Sequence, residues 1–177
     1  METLISERVC LRPMNPDDAS SIFALFSDPE AMRYWSYPPY TELAQAEARL
    51  ARDIAGAAQS DVLPWGIAWE GTLIGTVTLH DLNLSGGRAE LGYMLHRSHW
   101  GQGLASEAVS LAIDHAFTTL GLRRLEADID PRNTASQRLL ERLGFVREGY
   151  LRERWCVAGE ITDTALYGLL AREWKRK

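Results

Sequence analysis

The stretch Ser98-His99-Trp100-Gly101-Gln102-Gly103-Leu104-Ala105-Ser106 joins an apolar run, Ala89-Glu90-Leu91-Gly92-Tyr93-Met94-Leu95, to a long helical pattern through two closely spaced glycines. Glycine backbone comes within hydrogen-bond reach of phosphate oxygens, and the first-turn N–H groups and positive end of a helix favour an anion there. The junction therefore reads as a pyrophosphate cradle. A lone Gly-x-Gly serves equally as a tight turn at a helix start, so the surrounding elements have to decide.

Leu104 to Leu120 predicts a helix, with Ala105, Ala108, Val109, Ala112, Ala116 and Leu120 on one apolar stripe and Ser106, Ser110, Asp114 and Thr118 opposite. Gly121 stops it. Leu125 to Ile129 follows as a short strand, and Asn133-Thr134 caps a helix from about Ala135 to Leu143, closed by Gly144. A βαβ unit results. Upstream, Trp65 to Trp69 and Thr72 to Leu79 form a hairpin about Glu70-Gly71, and the turn-rich Asn83 to Gly87 leads into the strand ahead of the glycines. Near the start, Arg8 to Arg12 alternates as a strand. Asn15-Pro16-Asp17-Asp18 then opens a helix that runs to about Ser27. The aromatic segment Trp35-Ser36-Tyr37-Pro38-Pro39-Tyr40 must be loop, because successive prolines forbid a ladder. Thr41 caps a second helix whose apolar face carries Leu43, Ala46, Leu50 and Ile54. Phe145 to Trp155 and Ile161 to Leu170 close the chain as strands around an Ala158-Gly159 turn.

At 177 residues and 46% hydrophobic content the chain is long enough for one sizeable core, which makes a single domain over 1–177 the expectation. Its 19 basic and 24 acidic residues give a formal charge of -5. No global basic field attracts nucleic acid or an anionic membrane, and a cationic substrate is easier to accommodate. Cys10 and Cys156 form neither a disulfide framework nor a metal-ligand spacing. A cytoplasmic location fits that usage and the early charges Glu2, Glu7 and Arg8, which argue against a signal peptide or membrane span.

Three segments together carry a family resemblance: Glu90-Leu91-Gly92-Tyr93-Met94-Leu95, then Trp100-Gly101-Gln102-Gly103-Leu104-Ala105-Ser106-Glu107-Ala108, then Asn133-Thr134-Ala135-Ser136 leading to Leu143-Gly144-Phe145. In their order and spacing they resemble the GNAT superfamily of acyl-CoA-dependent N-acetyltransferases. The Trp-Gly-x-Gly loop, the Asn-x-x-Ser helix start and the early Arg-x-x-Leu-Arg-Pro strand resemble its RimJ/RimL branch, which acetylates ribosomal-protein N-termini. One departure is Ser98, where the superfamily often has Gln or Arg.

The resemblance implies an α/β (α+β) fold: a mixed sheet of about seven strands, flanked by about four helices and splayed between the fourth and fifth strands so that pantetheine lies in the gap. Acetyl-CoA is the implied cosubstrate and no metal is implied. Met94, Leu95 and His96 would give main-chain contacts, Trp100, Gly101, Gln102, Gly103, Leu104, Ala105 and Ser106 would hold the pyrophosphate, and Asn133 would bind the pantetheine arm or act only as a helix cap. Relatives often pair, so a homodimer is implied, although no strip in the sequence locates its interface.

Acyl transfer from a thioester to an amine needs a neutral nucleophile, a donor for the oxyanion and a proton for the thiolate. Ser136 is the candidate for that proton by resemblance. Related enzymes with a tyrosine acid place it one turn later, at Leu140 here, and a leucine cannot donate. Glu90 stands where distant protein-lysine acetyltransferases carry a general base, with a charged strand-edge residue as the alternative. The glutamate proposed for the RimJ/RimL branch aligns with Trp155, while Glu153 points by strand alternation to the same side. Trp35, Tyr37 and Tyr40 would wall an acceptor groove or pack on the sheet. Arg97, His99 and Arg138 would meet phosphates or water. The leading reading is an acetyl-CoA-dependent N-acetyltransferase acting by direct attack in a ternary complex on a protein N-terminus or a small amine such as a polyamine or aminoglycoside. A non-catalytic CoA-binding module is the alternative from another class. A P-loop or dinucleotide site is opposed by the lack of Gly-Lys-Ser/Thr and by Ser106 at the third glycine position.

Overall fold

The computed structural model describes residues 1–59 and 62–175. One mixed sheet of eight strands runs in the order β1-β2-β3-β4-β5-β6-β8-β7. Its strands are β1 (Leu4–Ile5), β2 (Val9–Pro13), β3 (Leu63–Trp69), β4 (Thr72–Asn83), β5 (Arg88–Leu95), β6 (Arg124–Ile129), β7 (Val146–Val157) and β8 (Glu160–Leu170). Seven are those expected from alternation. The eighth is the two-residue β1, too short to show a period, which pairs Leu4 with Leu11 at the edge. Four α-helices flank the sheet: α1 (Ala19–Phe26), α2 (Leu43–Gln59), α3 (Leu104–Asp114) and α4 (Thr134–Arg142).

Local chemistry accounts for most boundaries. The Asn15 side chain accepts from the Asp17 N–H, while the Asp18 carboxylate accepts from the Asn15 N–H, a reciprocal cap that opens a short 3-10 turn before α1. Thr41 does not cap α2 with its hydroxyl. The Gln45 side-chain oxygen reaches back instead and accepts from the N–H groups of Thr41 and Glu42, at 2.7 and 3.0 Å. Glu70 and Gly71 both have positive φ, 49° and 81°, as a two-residue hairpin turn matched to strand twist requires. The expected helix from Leu104 to Leu120 is α3 followed by a π-helical turn over His115–Thr119.

Strand alternation divides the core. Met94 packs with Ile22, Leu25, Phe26 and Leu50 under α1 and α2, whereas its neighbour Leu95 joins Leu104, Val109, Ile113 and Leu125 under α3. Leu140, the one-turn-later position on α4, is wholly buried in the second cluster, so its absent phenol is a packing fact as well as a chemical one. No helix among the described residues is long and apolar enough to cross a membrane. Leu140→Ala is expected to destabilise the fold by about 2–5 kcal/mol, through lost transfer energy and a residual cavity. In urea unfolding this lowers the midpoint at constant m.

Candidate active site

β5 and β6 are parallel neighbours at three positions only, Arg88↔Arg124, Ala89↔Leu125 and Glu90↔Glu126. Beyond them β5 stays paired with β4 and β6 with β8, so the strands part and a cleft of about 500 Å3 opens between them. His96 N–H donates to Ile74 C=O at 2.7 Å. Antiparallel alternation then turns the main-chain groups of Met94 toward β4 as well. The contacts expected from Met94 and His96 are therefore satisfied within the sheet, and Tyr93 and Leu95 present their main chain to the open edge instead. Leu95 C=O accepts from Trp100 Nε1 at 2.7 Å, which leaves its N–H on that edge. Backbone groups in such a gap need partners, and the amides of a pantetheine arm fit them.

The backbone of the glycine loop suits an anion. Gly101 and Gly103 have φ of 73° and 79°, the left-handed region that excludes most side chains, and a Cβ on Gly101 would meet only open space. Gly103 is the N-cap of α3, and no side chain takes the helix's first N–H groups. The one acid in that turn is neutralised: Glu107 accepts from Arg8 Nε at 2.8 Å and from Ser6 Oγ at 2.7 Å. Burial pulls its carboxyl up, yet these bonds hold it below the usual carboxylate range. Arg8 also donates to Gln102 C=O at 2.9 Å, bracing the loop from β2's side. Ser98 Oγ lies 2.8 Å from His96 Nδ1 and 2.9 Å from His99 Nδ1, so hydrogen bonds fix the start of the loop. Arg97 lies 3.4 Å from Asp28, and Arg138 is exposed on α4.

Both expected catalytic side chains line the cleft. Glu90 is the cross-strand neighbour of His80, whose Nε2 lies 3.8 Å from its carboxylate. Burial raises the Glu90 carboxyl above its ordinary range; the His80 charge opposes this, and Asp128, Asp81 and Glu126 add to it. Ser136 stands in the first turn of α4, where its N–H donates to Asn133 Oδ1 at 3.1 Å. Asn133 is thus a helix cap that also lines the cleft. The Ser136 hydroxyl is not satisfied by its own helix: it lies 2.5 Å from the Tyr93 hydroxyl.

Trp35 and Tyr37 form the opposite wall, with Tyr40 stacked behind. The three rings gather on Phe26 at centroid distances of 5.3, 6.4 and 5.5 Å. Arg49 on α2 lies 4.4 Å over the Phe26 ring and donates to the Tyr37 hydroxyl at 2.7 Å. Glu153 is not among the cleft residues, whereas Trp155 and Glu160 are. A bulge between Leu151 and Trp155, with Glu153 at φ 53°, breaks the alternation that set Glu153 beside Trp155. His80, Tyr93 and Asp128 escaped sequence reasoning. His80 was findable only from the β4–β5 register, which its bulge between His80 and Asn83 obscures.

Gly101→Gln imposes only backbone strain, whereas Gly101→Glu adds a carboxylate facing the pyrophosphate. Calorimetry is expected to show acetyl-CoA affinity falling in both, and about ten-fold further in the glutamate variant, the size of one unfavourable charged contact. Glu90 yields a second expectation. Its raised carboxyl binds a proton more tightly in the folded chain than in the unfolded one. Glu90→Gln is therefore more stable than the parent at pH values above that raised value. The advantage disappears as pH falls through it, which thermal melts across pH will read.

The acetyltransferase (GNAT) domain family matches residues 8–146. The chain is 39% identical over 176 residues to the uncharacterized N-acetyltransferase p20 of Bacillus licheniformis, covering 98% of this chain and 99% of that one. It superposes on Mycobacterium smegmatis RimJ in complex with CoA-disulfide with a TM-score of 0.87 at 27% identity, covering 97% of this chain and 88% of that one. On spermidine N-acetyltransferase from Vibrio cholerae, in complex with CoA and spermine, the TM-score is 0.85 at 25% identity, with 95% and 98% covered. The chain belongs to the GNAT acetyltransferases and is an N-acetyltransferase whose cosubstrate is acetyl-CoA.

Proposed function

We propose that this enzyme, of the RimJ/RimL type, acetylates the α-amino group of a protein N-terminus by direct attack on acetyl-CoA in a ternary complex. The observation that carries the reading is the three-residue pairing of β5 with β6, which opens into a cleft carrying Glu90 on one strand and Ser136 beyond the other. Acetyl-CoA supplies an acetyl group activated as a thioester. Gly101 to Ser106 hold its pyrophosphate, Leu95 N–H and Asn133 NH2 hold the arm, and Trp35 and Tyr37 flank the incoming amine. Glu90 takes the amine proton, a role that a raised carboxyl suits at neutral pH. The electron pair of the broken C–S bond stays on sulfur, a leaving group that needs little help because a free thiol has a pKa of ~8.5. An N-terminal amine titrates near ~8 and so requires only a modest base. Glu153, outside the cleft, has no part in this reading.

A specific observation favours a second acceptor class. Asp128 lines the cleft with no guanidinium partner among the described residues, so a second ammonium, as in a polyamine, has a carboxylate to meet.

CoA release should be followed with panels of peptide N-termini, polyamines and aminoglycosides. Turnover on peptides is expected to survive Asp128→Asn, whereas polyamine acetylation would show a KM raised about ten-fold. Background rates with every amine, despite bound acetyl-CoA, would leave a CoA-binding module. On the preferred acceptor Glu90→Gln is expected to slow acetylation by roughly 10²–10³-fold. It should also abolish the fall in rate that the parent shows as acid protonates Glu90.

A further inference from the structure

We propose that Tyr93 is a positioning residue for the leaving-group half of the reaction: by donating its hydroxyl hydrogen to Ser136 Oγ, it turns the serine O–H toward the sulfur of CoA. This rests on the acetyl-transfer reading above and gives Ser136, expected from the sequence as the proton donor, a hydrogen bond to the thiolate in place of proton transfer. The two oxygens lie 2.5 Å apart, one side chain from β5 and the other from the first turn of α4, so the pair spans the mouth of the splay. Two other helical hydroxyls behave differently. Ser110 and Thr118 donate back to the carbonyls four residues earlier, at 2.8 and 2.6 Å. Among the described residues the Ser136 hydroxyl has Tyr93 as its one partner. The contact admits either hydroxyl as donor, and the Tyr93 hydroxyl also lies 3.4 Å from Ser136 C=O; because a phenol is a better donor than an aliphatic alcohol, the bridging hydrogen is assigned to Tyr93. With the hydrogen so placed, the serine O–H has no acceptor among the described residues.

Burial raises the Tyr93 phenol above its ordinary range, against the lowering effect of the Ser136 bond, so it stays neutral. It acts as a hydrogen-bond donor and not as an acid. As the C–S bond breaks, its electron pair goes to sulfur and the Ser136 O–H hydrogen-bonds to the forming thiolate, with both hydroxyls keeping their protons. The amine proton has gone to Glu90, and the thiolate takes its own from water after release.

The test uses Tyr93→Phe, which keeps the ring and removes the oxygen, and reads bound CoA without any acceptor. Thiolate absorbance against pH is expected to give wild-type-bound CoA a thiol pKa about one unit below the free value of ~8.5, a ten-fold stabilisation of thiolate. Tyr93→Phe and Ser136→Ala should each return most of that shift, and the double variant no more than Ser136→Ala alone. Single-turnover acetyl transfer should fall about ten-fold in Tyr93→Phe with acetyl-CoA affinity unchanged, and should not fall further in the Ser136→Ala background. A wild-type thiol pKa retained in Tyr93→Phe, or losses that add in the double variant, would overturn the inference. If Tyr93→Phe folds poorly, Tyr93→3-fluorotyrosine keeps the contact and strengthens the donor. It should then move the thiol pKa further down, and an unmoved or raised value counts against the proposal. Calorimetry separates this failure from that of the cofactor site: an inference that fails alone leaves CoA bound.

Discussion

Two half-sheets, each complete on its outer side, share only three residue pairs, and the cleft opens where that sharing stops. β5 is held by β4 as far as Leu95, and β6 is held by β8 along its whole length. Closing the gap would mean tearing one of these ladders, so the opening is a fixed feature of the sheet and needs no ligand to form. Such preorganisation matters for acyl transfer, because donors already in place need no reorganisation as charge develops. Gly75 contributes from behind: a Cβ there would collide with Met94 C=O, so β4 and β5 approach closely only because the residue is glycine.

Charge around the cleft is sorted by partner. Arg132 reaches Asp130 and Glu160 at 2.6 Å each, and Arg124 lies between Glu126 and Glu148. The Arg132–Glu160 pair is exposed and contributes little to stability, whereas Asp130 is buried and Arg124 mostly covered. The effect of these pairs is to leave the other carboxylates distinct. Glu90 lies beside His80 and Asp128 accepts from Thr164, so these two cleft carboxylates have no guanidinium partner among the described residues, whereas Asp130 and Glu160 share Arg132.

Much of the fold was legible because its signals are short in range. Glycines at 101, 103, 121 and 144 all adopt positive φ, and the Asn15 and Asn133 caps form where the sequence puts them. Legibility failed where an outcome depends on register or on a neighbour distant in sequence. Whether Met94 or Leu95 offers its main chain to the gap turns on a one-residue phase, set by the His96 bond to Ile74. The partnership of Tyr93 and Ser136 joins residues 43 apart and has no local trace. Gln45 displaced Thr41 as the cap of α2 because a longer side chain can reach the same N–H groups from within the helix.

The outer edge of β7 has a consequence for the life of the molecule in a crowded solution. A twelve-residue terminal strand carrying exposed Val146, Tyr150, Leu151 and Trp155 is a template for stacking onto other chains. The bulge at residues 152–154 interrupts that template. Glu153 N–H turns inward to Asp163 at 2.7 Å, while Arg147 and Arg154 lie over the rings of Tyr150 and Trp155. Straightening the bulge would restore a continuous row of donors and acceptors beside an oily surface, so the irregularity that hides Glu153 from the cleft also protects the chain against fibrous polymerisation.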